Sequence, residues 1–143
     1  MVIDFHTHTF PDAIAASTLQ KLSGVSHSRP FTDGTAAGLR ASMAAAGVDL
    51  SVVLPVATSP RQVRHINVAR NNERAGETGL FSFGCIHPDC ENWREELDCI
   101  AEWGLKGVKV HPVYQGVDLD DPRYLRILTR AGELGLVVVT HGG

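Results

Sequence analysis

Val2-Ile3-Asp4-Phe5-His6-Thr7-His8 decides how this chain is read. A short apolar run closes on two histidines one residue apart. On a strand, residues i and i+2 point to the same side. Both imidazoles can therefore converge on one point, as two metal ligands must, and imidazole is the commonest metal ligand among side chains. A Gly-rich phosphate loop after the first strand would mark a doubly wound open sheet, but no G-x-G-x-x-G occurs anywhere. His-Thr-His in that place favours a barrel, which puts its chemistry at the C-terminal mouth of the strands.

Outward from this stretch, short apolar runs alternate with helical patterns. The candidate strands are Val2–Phe5, Leu50–Leu54, Leu80–Gly84, Gly107–Val110 and Leu136–Thr140. The segments between them carry helix start signals. Ser59-Pro60-Arg61-Gln62 reads as a capping box with proline at the first helical position. Asn92-Trp93-Arg94-Glu95 is a weaker form of the same signal, and Asp121-Pro122 opens another helix. Trp93, Leu97 and Ile100 recur at helical spacing, as do Tyr124, Leu128 and Ala131. Gly47, Gly76, Gly104 and Gly135 stand where a left-handed residue ends a helix. The longer first connection holds helical patterns over about 11–23 and 35–46, joined by a polar loop from His27 to Gly34.

The later strands recur roughly every 30 residues, the length of a βαβ unit. Val137-Val138-Val139 is continuously apolar, as a parallel strand covered on both faces should be. The expected fold is α/β: five βα-type units of a (β/α)8 barrel. A closed barrel needs eight strands and roughly 250 residues. The 143 residues are therefore expected to be the N-terminal part of such a domain, truncated after the fifth strand.

Composition narrows the function classes. A net charge of −3 gives no basic footprint for nucleic acid. No apolar run is long enough to span a bilayer, and no signal peptide is expected ahead of Asp4. Cys85, Cys90 and Cys99 form no C-x-x-C pair, which fits reduced thiols in a cytoplasmic protein. The expected partner is a small-molecule substrate, with homo-oligomerisation left open.

Of seven histidines, five fall at the C-terminal ends of candidate strands: His6, His8, His87, His111 and His141. In a parallel sheet those ends share one edge. His6, His8 and His141 are the candidate metal ligands. His87 and His111 each precede a proline and can equally begin a turn. His65 lies in a helix and His27 in a polar loop, where solvated side chains are expected.

Lys109 sits in Lys106-Gly107-Val108-Lys109-Val110-His111-Pro112, where alternation puts Lys109 and His111 on one face. A lysine in a buried strand is costly unless paired. It reads either as half of an interior ion pair, for instance with Asp4, or as a group aimed at metal or substrate, carbamylated in one version to supply an anionic oxygen. Lys109 and His111 are the candidate catalytic residues. Asp4 lies on the histidine face by parity and could orient a ligand histidine. Cys85 reads as a small buried side chain, and Arg40 and Arg61 as surface charges that could meet an anionic substrate. Asp118, Asp120 and Asp121 read as an acidic helix start rather than a calcium loop.

His6-Thr7-His8, Lys-Gly-Val-Lys-Val-His-Pro at the fourth strand and Thr-His-Gly-Gly at the fifth resemble the amidohydrolase superfamily. The chain looks most like the branch of metal-dependent hydrolases related to aminocarboxymuconate-semialdehyde decarboxylase. The resemblance implies a divalent metal, zinc first, with His6, His8 and His141 among its ligands. It implies a metal-activated water that hydrolyses a C–N or C–O bond. The alternative chemistry is decarboxylation of a small unsaturated acid. The family completes its site with an aspartate after the eighth strand and a histidine after the sixth. A non-catalytic alternative is a half barrel that associates with itself or with a missing half through exposed strand edges.

Overall fold

Gly107-Val108-Lys109-Val110 forms the central strand of a parallel sheet because its alternate residues can be covered from both sides. In the computed structural model, which describes residues 1–26, 29–71 and 79–142, the strands are β1 (Ile3–Thr7), β2 (Leu50–Val53), β3 (Leu80–Ser82), β4 (Gly84–Cys85), β5 (Gly107–Val110) and β6 (Val137–Thr140). The helices are α1 (Asp12–Ser26), α2 (Ala36–Ala46), α3 (Val63–Asn71), α4 (Trp93–Glu102), α5 (Pro112–Gln115) and α6 (Pro122–Glu133). His27, Gly76 and Gly143 lie outside the described residues. The chain divides into two compact units: unit 1 comprises Met1–Val53 and Ala75–Phe81, and unit 2 comprises Leu54–Arg74 and Ser82–Gly143.

In unit 1, β1 pairs in parallel with β2, and β3 lies on the other side of β2. Met43 of α2, Val53 and Leu80 form its buried cluster. Helix α2 begins at Thr35, whose hydroxyl accepts the N–H of Gly38, and ends at Gly47, whose φ of 69° is left-handed. The register Ile3↔Leu50, Asp4↔Ser51, Thr7↔Val53 contains an irregularity between Asp4 and Thr7. Three steps along β1 match two along β2, which is the signature of a bulge and re-aims the side chains that follow.

In unit 2, β5 stands between β4 and β6, parallel to both. Val108 and Val110 pack with Leu97 and Ile100 of α4 and with Tyr124, Ile127 and Ala131 of α6. Fully burying a side chain of the Val, Leu or Ile kind contributes about 1.5–3 kcal/mol. The helical spacing of Leu97 with Ile100 and of Tyr124 with Ala131 is thus the spacing of the core. Asp121 caps α6 by accepting the N–H of Arg123 at 2.8 Å. Gly107 is required by its neighbours: a Cβ there would stand 2.5 Å from the carbonyl oxygen of Val137 and 2.3 Å from the ring of Phe83.

The structure corrects the expected third strand. Leu80–Gly84 is not one strand: Leu80–Ser82 joins the sheet of β2, and Gly84–Cys85 joins the sheet of β5, with Phe83 between them. Asn67 explains why the second piece is held. Its side-chain amide donates to the carbonyl of Cys85 at 3.0 Å and accepts the N–H of Cys85 at 2.8 Å, pairing with the strand backbone as another peptide would. The proline at Pro60 begins a short 3-10 turn, Pro60–Gln62, ahead of α3. There Gln62 Oε1 accepts the N–H groups of Thr58 and Ser59 at 2.9 and 3.2 Å.

Candidate active site

His6 and His8 come together in unit 1, at the C-terminal end of β1. Their ring centroids are 5.1 Å apart with planes at 68°, an edge-to-face pair, and both side chains are exposed. Thr7, pointing the other way, is buried and donates its hydroxyl to the carbonyl of Val52 at 2.8 Å, which fixes the strand end from which both imidazoles project. The irregularity of register falls between Asp4 and Thr7, and Asp4 Oδ1 accepts the backbone N–H of His6 at 3.1 Å.

His111 and His141 come together in unit 2. The register Cys85↔Lys109↔Val139 sets a row across β4, β5 and β6, and continuing β5 and β6 past Val110↔Thr140 brings His111 beside His141. Their rings stack, with centroids 4.3 Å apart and planes 11° from parallel. On its other face His111 stacks on Tyr114 at 4.0 Å and 8°. His111 Nδ1 accepts the backbone N–H of Tyr114 at 3.3 Å, so this imidazole caps α5. Acceptance at Nδ1 places the proton of the neutral ring on Nε2. His141 is exposed and His111 is buried.

Lys109 is 1% exposed, and its Nζ has no hydrogen-bond partner among the described residues. The expected interior ion pair is not formed there. Burial holds the ammonium pKa below its ordinary 10.5. Beside it in the row, Cys85 is fully buried and burial pushes its thiol pKa up, which fits an inert core cysteine. His87 is buried too, its Nδ1 accepting the N–H of Asp89 at 3.1 Å. It begins a turn, and burial lowers its pKa. His65 and Arg40 are exposed, as expected.

Gln115 is the residue the sequence reading missed. It is buried, and all its hydrogen-bonding capacity is used. Nε2 donates to the carbonyls of Ala57 at 2.9 Å and Ile86 at 2.7 Å. Oε1 accepts the N–H of His111 at 2.9 Å and the hydroxyl of Tyr124. One amide thus ties the loop after β2, the end of β4, the end of β5 and helix α6. The Tyr124 phenol that feeds it is kept protonated by burial, its pKa pushed up to about 12. Gly116, left-handed at the end of α5, was the available signal that a turn of helix follows His111-Pro112.

Residues 3–143 match the amidohydrolase family. The chain belongs to that family. Several solved structures share its fold, among them the following two. IDCase of Metarhizium anisopliae, in apo form, aligns at 17% identity with a TM-score of 0.73 over 99% of this chain and 50% of its own. The 4-oxalomesaconate hydratase LigJ of Rhodopseudomonas palustris aligns at 18% identity with a TM-score of 0.65 over 99% of this chain and 52% of its own. No curated protein matches. The chain spans about half the length of these structural relatives, and its parallel strands and helices are part of a (β/α)8 barrel.

The donor set bears on the metal that amidohydrolases typically use. Among the described residues no three His, Cys, Asp or Glu side chains are gathered as a metal-binding group. The His6–His8 pair sets two imidazoles side by side at one exposed strand end, the side-chain type that fills positions of a divalent ion's coordination shell. No helix among the described residues is long and apolar enough to cross a membrane.

Proposed function

We propose that this amidohydrolase-family chain carries part of the active site of a metal-dependent hydrolase that cleaves a C–N or C–O bond of a small molecule. The observation that carries the reading is the His6–His8 pair, two exposed imidazoles side by side at the end of β1. His6 and His8 would hold two positions of the ion's shell, zinc by preference, and His141 is proposed as a further ligand from the sequence pattern alone. When bound, the ion supplies Lewis acidity and lowers the pKa of a coordinated water.

The chain's own residues prepare the rest. Thr7 fixes the strand end behind the imidazole pair through its bond to Val52. His111 holds the plane of His141 by stacking and is itself fixed through Nδ1 by the N–H of Tyr114. Gln115 keeps the backbone of His111 in place. A second reading is a decarboxylase of a small unsaturated acid. It is favoured by Lys109, whose buried, unpartnered Nζ suits an anionic group.

Metal analysis tests the site. The purified protein, loaded with zinc and desalted, is compared with a His6→Ala, His8→Ala double variant. Loss of stoichiometric zinc in the variant is expected, and equal zinc in both would sink the reading. Nucleic acid and membranes have no part in it. A cytoplasmic setting is proposed from the three unpaired thiols.

A further inference from the structure

We propose that the cleft between Pro60–Arg61 and the Asp89–Asn92 turn binds a small zwitterion, a molecule carrying one carboxylate and one ammonium group. The cleft lies within unit 2, has a volume of about 320 Å³ and is lined by Pro60, Arg61, Asp89, Cys90, Glu91 and Asn92. This volume falls at the lower end of small-molecule sites, about 300–1,000 Å³.

The inference follows from sorting the lining charges by whether they are already used. The Asp89 carboxylate is paired with Arg123 through one oxygen, Nη1 to Oδ1 at 2.7 Å. Cys90 is buried, its thiol directed to Asn92 Oδ1 at 3.5 Å, and burial keeps that thiol neutral. Arg61 and Glu91 remain. Both are exposed, and neither has a hydrogen-bond or ion-pair partner among the described residues. They line one cleft with opposite charges and do not close on each other.

A ligand with complementary charges can bridge that gap. A guanidinium takes a carboxylate through two parallel N–H donors, and a carboxylate accepts from an ammonium. A simple anion would face Glu91 and a simple cation would face Arg61, so the cleft discriminates by repulsion as well as attraction. Pro60 holds the backbone that presents Arg61, because its ring fixes φ at the first position of the 3-10 turn. The inference does not depend on the hydrolase reading, and its test is run with chelator present so that the two fail separately.

Calorimetric titration of the whole chain in EDTA uses glycine, β-alanine and γ-aminobutyrate as probes, with butyrate and butylamine as single-charge controls. At least one amino acid is expected to bind about tenfold more tightly than either control. Arg61→Gln and Glu91→Gln should each reduce that affinity to the control level without moving the melting temperature. Arg61→Lys, which keeps the charge, should retain binding above the controls. The proposal is overturned if no amino acid binds, if a control binds equally well, if the neutral variants bind as the parent does, or if R61K loses as much as R61Q.

Discussion

The imidazole of His111 lies face to face with that of His141, 4.3 Å away and 11° from parallel, and is itself backed by the ring of Tyr114. The outer ring is exposed and the middle one buried. Orientation of His141 is therefore set by a neighbour anchored in the fold rather than by solvent.

Replacing His111 with alanine should release His141. Stacked ring pairs contribute about 0.5–1.5 kcal/mol beyond their burial. The substitution removes two stacks and the cap of α5, so a larger loss, about 2–4 kcal/mol, is expected in denaturant unfolding. The ring protons of His141 should also lose the shift imposed by the neighbouring aromatic current in the NMR spectrum. An unmoved His141 resonance would mean that the stack does not persist in solution.

Gln115→Leu should cost about 3 kcal/mol. The substitution preserves bulk but strands the carbonyls of Ala57 and Ile86, the N–H of His111 and the hydroxyl of Tyr124. A buried group left unpaired costs about 1–3 kcal/mol, and entry of water would recover part of the sum. A variant as stable as the parent would show that this amide is dispensable.

Lys109→Met should stabilise the protein at neutral pH by about 1–3 kcal/mol, because it replaces a buried ammonium lacking a partner with an apolar chain of similar length. The sign of the pH effect follows from the lowered pKa of Lys109. Below 10.5 the unfolded chain holds the proton more readily than the folded one, so the parent loses stability as pH falls through that window. The advantage of the variant should shrink as pH rises toward 10.5 and be full below the folded-state value. Unfolding curves of the two proteins across alkaline pH decide it, and a gap that does not change with pH would count against a strained ammonium.

Gly107→Ala should destabilise unit 2 by about 1–3 kcal/mol, the usual range for overpacking. The new methyl would meet the backbone oxygen of Val137, which is held by the pairing of β5 with β6 and cannot step aside as a flexible side chain would. Thermal melting measures the loss, and Gly132→Ala, a position with open space around the added atom, serves as the control.

Much of the fold was legible because burial imposes local patterns. The apolar runs at Leu50 and Gly107 mark β2 and β5, and Leu97 with Ile100 marks the inner face of α4. Burial of Lys109 followed from its place in a parallel strand covered on both faces. The division of Leu80–Gly84 was not legible, because which partner a strand takes depends on residues distant in sequence. The same holds for Gln115. Two of its four partners lie 58 and 29 residues away, and a lone glutamine in a four-residue helix leaves no periodic trace. At the site, the His6–His8 pairing was legible from strand geometry. The bulge between Asp4 and Thr7 was not, since it arises from the mismatch between two strands.

The four bonds of Gln115 also couple motions. Opening the loop that follows β2 means releasing Ala57 from the same amide that holds the ends of β4 and β5. These segments should fluctuate as one cooperative block rather than independently. Local opening of any one of them therefore costs the hydrogen bonds of the others.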